Sequence, residues 1–479
     1  MDAYNVFARH ILAPAYDLLR GTHTLSCLLE LEESQWWPLE RIEGLRSERL
    51  QRLVSHAYAH VPHYRHVMDE RGVRPQDVAS VSDLRKLPVL TKAAIRAAGN
   101  AILADDISGT ELLPMSTSGS TGEPLLFYST AEDQLSRGMA RALRAFGWAG
   151  VRIGDRYATL VRPRHFDSQR ERMLHRVSRR FRRAVELDYS SLSDEHLALL
   201  ARKLQFGRFT CLDGTPPLLS LLAGFIRSHG LEAPHIESIV CSGEQLYPHE
   251  RCLLRGTWGT EPYSVYSSYE VFEIAGECEA HAGLHVQAED VVVEVVDEEG
   301  LPAQAGHPGR LLVTNLHSHA MPFLRYEIGD IGTLAPAPCA CGRQLPRLAG
   351  VVGRASELIV APDGRRIFAA DLGLESFSSL GVRQFRIVQQ TLGEMVAFIV
   401  WHSEVSPEAR EERGRKLSEA LRGRVGPGID VKVESVEHIE PTAAGKHLVV
   451  VSKLSSRLPY GKQAADSTAR GEPRRGEDE

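Results

Sequence analysis

At 479 residues the chain is longer than one hydrophobic core usually organises, so two or more domains are expected. Hydrophobic residues make up 43% and charged residues 25%, ordinary globular usage that argues against a disordered or membrane-embedded protein. A formal net charge of −6 argues against general affinity for nucleic acid, whose binders present excess Lys and Arg.

In chain order, residues 1–100 read as helical, with Tyr4 to Leu19 forming an amphipathic surface helix and a long polar–apolar period over Glu48 to Tyr58. Val61-Pro62 and Leu87-Pro88 punctuate these helices, because the residue before proline is pushed out of the helical region. From 101 to 352 short apolar runs (Arg156–Val161, Phe209–Leu212, Ile236–Ser242, Ser264–Tyr266) alternate with helical stretches, an α/β rhythm. Val291–Val296 and Arg310–Thr314 flank a turn-rich stretch and predict a more antiparallel, barrel-like subregion. Beyond 353–357, residues 358–455 predict a small α+β domain. Its strands fall at 358–361, 384–389, 395–401, 430–434 and 447–451, with a helix at 406–424. The tail 456–479, nearly devoid of large apolar residues from Gln463 onward, predicts disorder. No run approaches the roughly 20 apolar residues that span a bilayer. No secretory signal is evident after Met1-Asp2-Ala3 either, so a cytoplasmic protein is expected.

The strongest local motif is Thr117-Ser-Gly-Ser-Thr-Gly-Glu-Pro124, whose hydroxyls and glycines suit a loop wrapping phosphate oxygens. It is not a Walker A loop, since no Gly-Lys-Ser/Thr closes it. Tyr266-Ser-Ser-Tyr-Glu270 ends an apolar run with an aromatic face and a carboxylate. Pro322-Phe-Leu-Arg-Tyr-Glu-Ile-Gly-Asp330 sets an acid just after a glycine, and Gly353-Arg354 and Thr442-Ala-Ala-Gly-Lys446 follow.

These five segments, in this order, resemble the adenylate-forming superfamily of acyl-CoA ligases, firefly luciferases and peptide-synthetase adenylation domains. Leu53-Val-Ser-His-Ala-Tyr-Ala-His-Val-Pro-His-Tyr64, Leu87-Pro-Val-Leu-Thr-Lys92 and Cys341-Gly-Arg-Gln-Leu-Pro346 narrow the resemblance to phenylacetate–CoA ligases, coenzyme F390 synthetases and capsular-polysaccharide-type proteins, over roughly residues 45–452. The resemblance implies a large α/β N-terminal domain with a small mobile C-terminal one, and ATP-dependent joining of a carboxylic acid, most often aromatic, to AMP. Transfer to a thiol, most often that of CoA, would follow.

The resemblance also implies roles. Ser118, Gly119, Ser120, Thr121 and Gly122 would hold the ATP β- and γ-phosphates. Gly243 and Glu244 would border adenine, Tyr266 would stack on the purine, and Ser267 would lie beside it in the nucleotide pocket. Glu270 would bind Mg²⁺, a hard ion suited to carboxylate oxygen. Asp330 would accept from both ribose hydroxyls. Lys446 would stabilise charge at the α-phosphorus. Gly353-Arg354 would be the hinge, with Arg354 reaching the phosphate or ribose region.

Departures from the family pattern are Leu125 after the phosphate-loop proline, Ser267 for the usual Gly, Tyr269 for the usual Thr, and Ser356 then Glu357 at the hinge. Ser267 and Tyr269 predict a bulkier pocket floor. They leave an amine, hydroxyl or carrier-protein thiol as a rival acceptor. A further rival is a non-catalytic, zinc-stabilised nucleotide-binding scaffold, against which joint retention of Glu270, Asp330 and Lys446 speaks. The N-terminal helices are compatible with a homodimer.

Seven cysteines scattered through a long chain do not read as a disulfide framework. Cys27, Cys211, Cys241 and Cys252 read as buried thiols. Cys278-Glu-Ala-His281-Ala-Gly-Leu-His285 and Cys339-Ala-Cys341 supply three thiols and two imidazoles, a Cys₃His set for tetrahedral structural Zn²⁺. His285 is the preferred fourth ligand, since Gly283 permits a turn that returns the next strand towards Cys278; His281 is the alternate. Arg179-Arg-Phe-Arg-Arg183 reads as a solvated helix face or a CoA-phosphate contact. Arg162-Pro-Arg164-His165 reads as a surface turn or a contact for an anionic substrate group.

Overall fold

The computed structural model describes residues 3–454 except 110, 117–124, 162–167, 182, 190–192, 305, 355–358, 364, 368–371, 373, 375–376, 378–379 and 441–447. Ser118 to Gly122, Lys446, the 162–165 turn, the far side of the hinge and the tail from 455 thus lie outside the described residues. Among the described residues no helix is long and apolar enough to cross a membrane.

An eleven-stranded mixed sheet organises the large lobe. Its spatial order is Val291–Val296, Pro308–Asn315, Tyr326–Leu334, Arg347–Arg354, Leu284–Val286, Phe272–Glu277, Pro262–Ser268, Ser238–Ser242, Cys211–Gly214, Tyr157–Val161, Ala184–Asp188. The last five run parallel to one another and the rest pair antiparallel. Parallel strands are covered on both faces and read as continuous apolar runs; Ser238–Ser242 is buried over four of its five residues. Helices Asp194–Gly207, Pro216–Ser228 and Pro248–Trp258 give one face a core of Leu200, Leu204, Leu219, Ile239 and Trp258. The antiparallel subregion expected around 291–314 joins these strands edge-on through Pro262–Ser268, so the two parts share one sheet.

The N-terminal region is helical as its periodicity predicts, in Ala3–Phe7, Ala8–Leu12, Ala13–Arg20, Thr24–Ser34, Leu39–His60 and Pro62–Glu70; Ala8–Leu12 is a π-helical turn. Its anchor to the sheet is ionic and buried. Arg144, on helix Met139–Trp148, makes a two-pronged pair with Glu289 at 2.7 and 2.8 Å and also donates to the Leu31 carbonyl. Arg49 donates to Asp290 at 2.7 Å and to the Glu289 carbonyl.

The small lobe is built on a second sheet, ordered Asp430–Ser435, Glu394–Trp401, Val382–Thr391, Val450–Ser452. Its central pair is antiparallel and each outer strand is parallel to its neighbour. Helix Pro407–Val425, whose Ser406 side chain caps the Ala409 N–H, buries Leu417, Leu421 and Val425 against it. Of the strand expected at 358–361, the described residues show Ile359–Val360, which pairs with Arg366–Ile367 instead of joining the sheet. Buried Gln389 reaches it instead: its amide donates to the Val360 carbonyl at 2.7 Å and accepts the Val360 N–H at 2.9 Å, as a strand backbone would. Tyr247 from the large lobe packs into the small-lobe core, and Arg383 meets Asp194 at 3.1 Å.

Candidate active site and thiol cluster

Ligands of open α/β sheets sit beyond the carboxyl ends of the parallel strands. Ser242 ends one such strand and lies opposite Val265 of the next, so the turn at Gly243 falls beside Tyr266. Gly243 has φ +80°, which glycine adopts without penalty. The Tyr266 hydroxyl donates to Asp330 Oδ2 at 2.7 Å. Glu270, 9% exposed, accepts from the buried Tyr326 hydroxyl at 2.8 Å. Tyr326 and Asp330 belong to the same strand, Tyr326–Leu334, and Asp330 lies opposite Arg354 in register. Tyr266, Glu270, Asp330 and the backbone of Arg354 are therefore brought together by two hydroxyl–carboxylate links and one strand pairing. Gly243 and Glu244 adjoin them. Tyr269, expected to bulk out the pocket floor, is 55% exposed at the turn.

Sequence reading missed four residues of this region. Tyr326 is the partner of Glu270. Asp213 accepts from Thr159 Oγ1 at 2.8 Å across neighbouring strands, and burial raises it to about 6 against hydrogen bonds from Thr159 and Ser242. Glu273 lies opposite Ser267; burial raises it to about 7, with buried Arg141 opposing and the charge of Asp213 adding. Asp213 Oδ1 and Glu273 Oε2 are buried without a hydrogen-bond partner among the described residues. An acid closing a predicted strand was the available signal for Asp213; nothing local marks Glu273 or Arg141.

Around strand Leu284–Val286 of the same sheet the expected thiol set assembles. The donor atoms of Cys278, His285, Cys339 and Cys341 lie within 4.8 Å of one another. Cys278 Sγ is 3.7 Å from Cys339 Sγ, and Cys341 Sγ is 3.3 Å from His285 Nε2. The geometry follows from Gly283: at φ +107°, a Cβ there would meet the Leu348 carbonyl oxygen at 2.4 Å, so only glycine lets strand Leu284–Val286 lie against Arg347–Arg354. His281 points elsewhere, its Nδ1 3.2 Å from Glu277 Oε2. Burial, helped by Arg343, lowers His285 to about 4 and keeps its imidazole neutral. Burial pushes Cys278 up to about 12; at Cys341 burial is outweighed by donors from Arg343 and the neighbouring thiols, which hold it below the ordinary thiol range. Three sulfurs and one neutral imidazole converging in a buried pocket fit a closed tetrahedral Zn²⁺ site with no open position.

Other expectations change. Cys252 is exposed, not buried, because helix Pro248–Trp258 turns Glu250, Leu254 and Trp258 inward. The basic run 179–183 is partly spent within the fold: Arg179 pairs with Glu186 and Arg183 lies over the Tyr4 ring.

The fold is shared with solved acyl-CoA ligases of the adenylate-forming kind. More narrowly, the chain is similar in sequence to phenylacetate–coenzyme A ligases and to the protein CapK. The family model described as the CapK C-terminal domain matches residues 359–453. Phenylacetate-coenzyme A ligase of Thermus thermophilus is 28% identical, covering 68% of this chain and 74% of its own length. That of Aromatoleum evansii is 26% identical over 88% of this chain and 97% of its own. Protein CapK of Staphylococcus aureus is 21% identical over 86% and 89%. Among solved structures, 2-hydroxyisobutyryl-CoA ligase in the postadenylation state, in complex with 2-HIB-AMP, has a TM-score of 0.72 at 22% identity, covering 88% of this chain and 92% of that one.

Proposed function

We propose that this chain is an ATP-dependent ligase that activates a carboxylic acid as its acyl-adenylate and passes the acyl group to the thiol of CoA. The observation that carries the reading is the joint placement of Tyr266 on Asp330 and of Tyr326 on Glu270. In this reading one carboxylate takes the sugar and the other the metal, and the two tyrosine hydroxyls orient them. Relatives named phenylacetate-coenzyme A ligase, and a fold shared with 2-hydroxyisobutyryl-CoA ligase, support it.

In this reading the substrate carboxylate attacks the α-phosphorus, an O–P bond forms, and the bond to the bridging oxygen breaks to release pyrophosphate. The thiolate of CoA then attacks the acyl carbon and AMP leaves. Asp330 takes the ribose hydroxyls and the Tyr266 ring lies on the purine, with Gly243, Glu244 and Ser267 lining the pocket. Glu270 holds Mg²⁺, which would neutralise phosphate charge when bound. Residues Ser118 to Gly122 cradle the phosphates and Lys446 supplies the cation at the α-phosphorus. Gly353, at φ +114°, and Arg354 form the hinge on which the small lobe turns, with Arg354 reaching the phosphate or ribose.

The acid is aromatic in this reading, as the relatives' name supports. The unpartnered oxygens of Asp213 and Glu273 near the strand ends favour one bearing a hydrogen-bond donor. A second reading, favoured by the CapK match of the small lobe, passes the acyl group to an amine, hydroxyl or carrier-protein thiol. The test is ATP–pyrophosphate exchange over aromatic acids with and without hydroxyl or amino substituents, followed by product analysis with CoA and with amines. Acid-dependent exchange lost in Lys446→Ala supports the ligase; no exchange with any acid, or exchange unchanged in that variant, overturns it.

A further inference from the structure

Helix Leu39–His60 presents two imidazoles one turn apart near its carboxyl end, His56 and His60, on a face that the ligase reading does not use. The loop carrying Asp105 and Asp106 is tied to the end of this helix by the Asp105 N–H, which donates to the His60 carbonyl at 2.9 Å, and to the 320 region by the Ala104 N–H, which donates to the Ala320 carbonyl at 2.9 Å. The result is a cluster in which His56, His60 and Asp106 each offer one donor atom and all three lie within 4.8 Å of one another.

The separations distinguish this cluster from ordinary hydrogen bonding. His56 Nδ1 is 3.7 Å from Asp106 Oδ2 and His60 Nδ1 is 3.8 Å from the same oxygen, both too long for a direct hydrogen bond. His60 Nδ1 is also 3.1 Å from Asp105 Oδ1. Neighbouring ligands of a tetrahedral ion with bonds of about 2.0–2.1 Å stand about 3.3–3.4 Å apart, so small inward side-chain movements suffice to close them on a cation.

The tautomer is set as well. His56 Nε2 lies 3.1 Å from the His319 carbonyl oxygen, an acceptor only, so Nε2 donates there and Nδ1 is the nitrogen turned towards Asp106. A ligand imidazole whose second nitrogen donates to a backbone carbonyl is the usual outer arrangement of a metal-bound histidine. Two neutral imidazoles with two carboxylates balance the charge of a divalent ion. The nitrogens select a borderline ion of the Zn²⁺, Co²⁺ or Ni²⁺ type over Mg²⁺ or Ca²⁺. The site stays open to solvent, with His56 15%, His60 38% and Asp106 37% exposed, so an ion can enter directly.

We propose that His56, His60, Asp105 and Asp106 form a second divalent-metal site, separate from the thiol cluster, that clips the end of helix Leu39–His60 to the 104–106 loop. Binding replaces the hydrogen bond between His60 Nδ1 and Asp105, the ring proton moving to Nε2 so that the ligand imidazole stays neutral. The site stands independently of the ligase reading.

The test uses full-length protein carrying no histidine tag, loaded with Zn²⁺ or Co²⁺ and desalted. Metal per chain is counted for the parent, His60→Ala and Asp106→Asn. The parent is expected to hold one ion more than either variant, or to bind it at least about tenfold more tightly. The Co²⁺ difference spectrum between parent and variant should carry the weak bands of nitrogen and oxygen ligation without thiolate charge transfer. Pyrophosphate exchange should be unchanged. Equal metal content and equal affinity in all three proteins overturns the proposal, as does a difference spectrum dominated by thiolate charge transfer. Asp106→Asn, a change at an exposed loop residue, keeps the comparison valid if His60→Ala folds poorly.

Discussion

The Tyr266 hydroxyl donates to Asp330 Oδ2 at 2.7 Å, tying an aromatic ring to a carboxylate 64 positions away. The bond holds one carboxylate oxygen against the ring's hydroxyl. Removing the hydroxyl and removing the charge should therefore differ in effect. Asp330→Asn should lower kcat/KM for ATP roughly 10- to 100-fold, the worth of charge-assisted hydrogen bonds to the sugar. Tyr266→Phe keeps the ring and should raise the KM for ATP only a few-fold. Steady-state kinetics with varied ATP measures both; equal losses would mean that the hydroxyl does more than orient Asp330.

The two histidines near the thiol cluster have opposite expected behaviour. His285 Nε2 faces Cys341 Sγ at 3.3 Å, whereas His281 faces Glu277. His285→Ala should lose zinc from the thiol site and lower the melting temperature. His281→Ala should keep its zinc. Metal analysis of the two purified variants decides, and equal zinc content in both would remove His285 from the ligand set. Stripping the zinc with a chelator should likewise lower the melting temperature, since a structural ion contributes to folding directly.

Arg144 makes the most demanding buried contact. It is 1% exposed, its partner Glu289 is fully buried, and Gln287 accepts from Nε at 2.7 Å. Arg144→Ala would leave the Glu289 charge without its partner, so a destabilisation of about 3–5 kcal/mol is expected in urea unfolding. Arg144→Ala combined with Glu289→Ala should recover part of that loss. A single variant as stable as the parent would show the pair to be dispensable.

What was legible in the sequence follows from range. Tyr266, Glu270, Asp330 and the Cys/His set stand in short motifs whose spacing carries chemistry, and the structure brings each group together. The helices of the first hundred residues were legible from their period, and the parallel strands from apolar runs. Contacts across long separations were not: Arg144 to Glu289 spans 145 positions and Tyr326 to Glu270 spans 56, with no local pattern at either end. Cys252 was misjudged because its helix has an exposed face that thiol composition does not reveal. That Ile359–Val360 stays outside the four-stranded sheet was hidden because a glutamine side chain, Gln389, does the pairing expected of backbone.

Glu250 offers a test of burial through pH. It accepts the Tyr247 N–H at the start of helix Pro248–Trp258, yet burial raises it to about 8, the Tyr247 bond opposing and the charge of Glu244 adding. The folded protein thus holds a proton that the unfolded chain, with an ordinary carboxylate, releases near pH 4 to 5. Between that range and about 8 the folded state binds more protons than the unfolded one, so this group's contribution to stability falls as pH rises. Glu250→Gln keeps a carbonyl acceptor for the cap and removes the ionisation. Relative to the parent, its melting temperature should gain steadily from pH 5 to pH 8.5, by roughly 2–4 °C for each kcal/mol relieved. Below pH 4.5 the two proteins should differ little. A constant offset across the whole range would assign the effect of the substitution to packing and leave Glu250 ionised in the folded state at neutral pH.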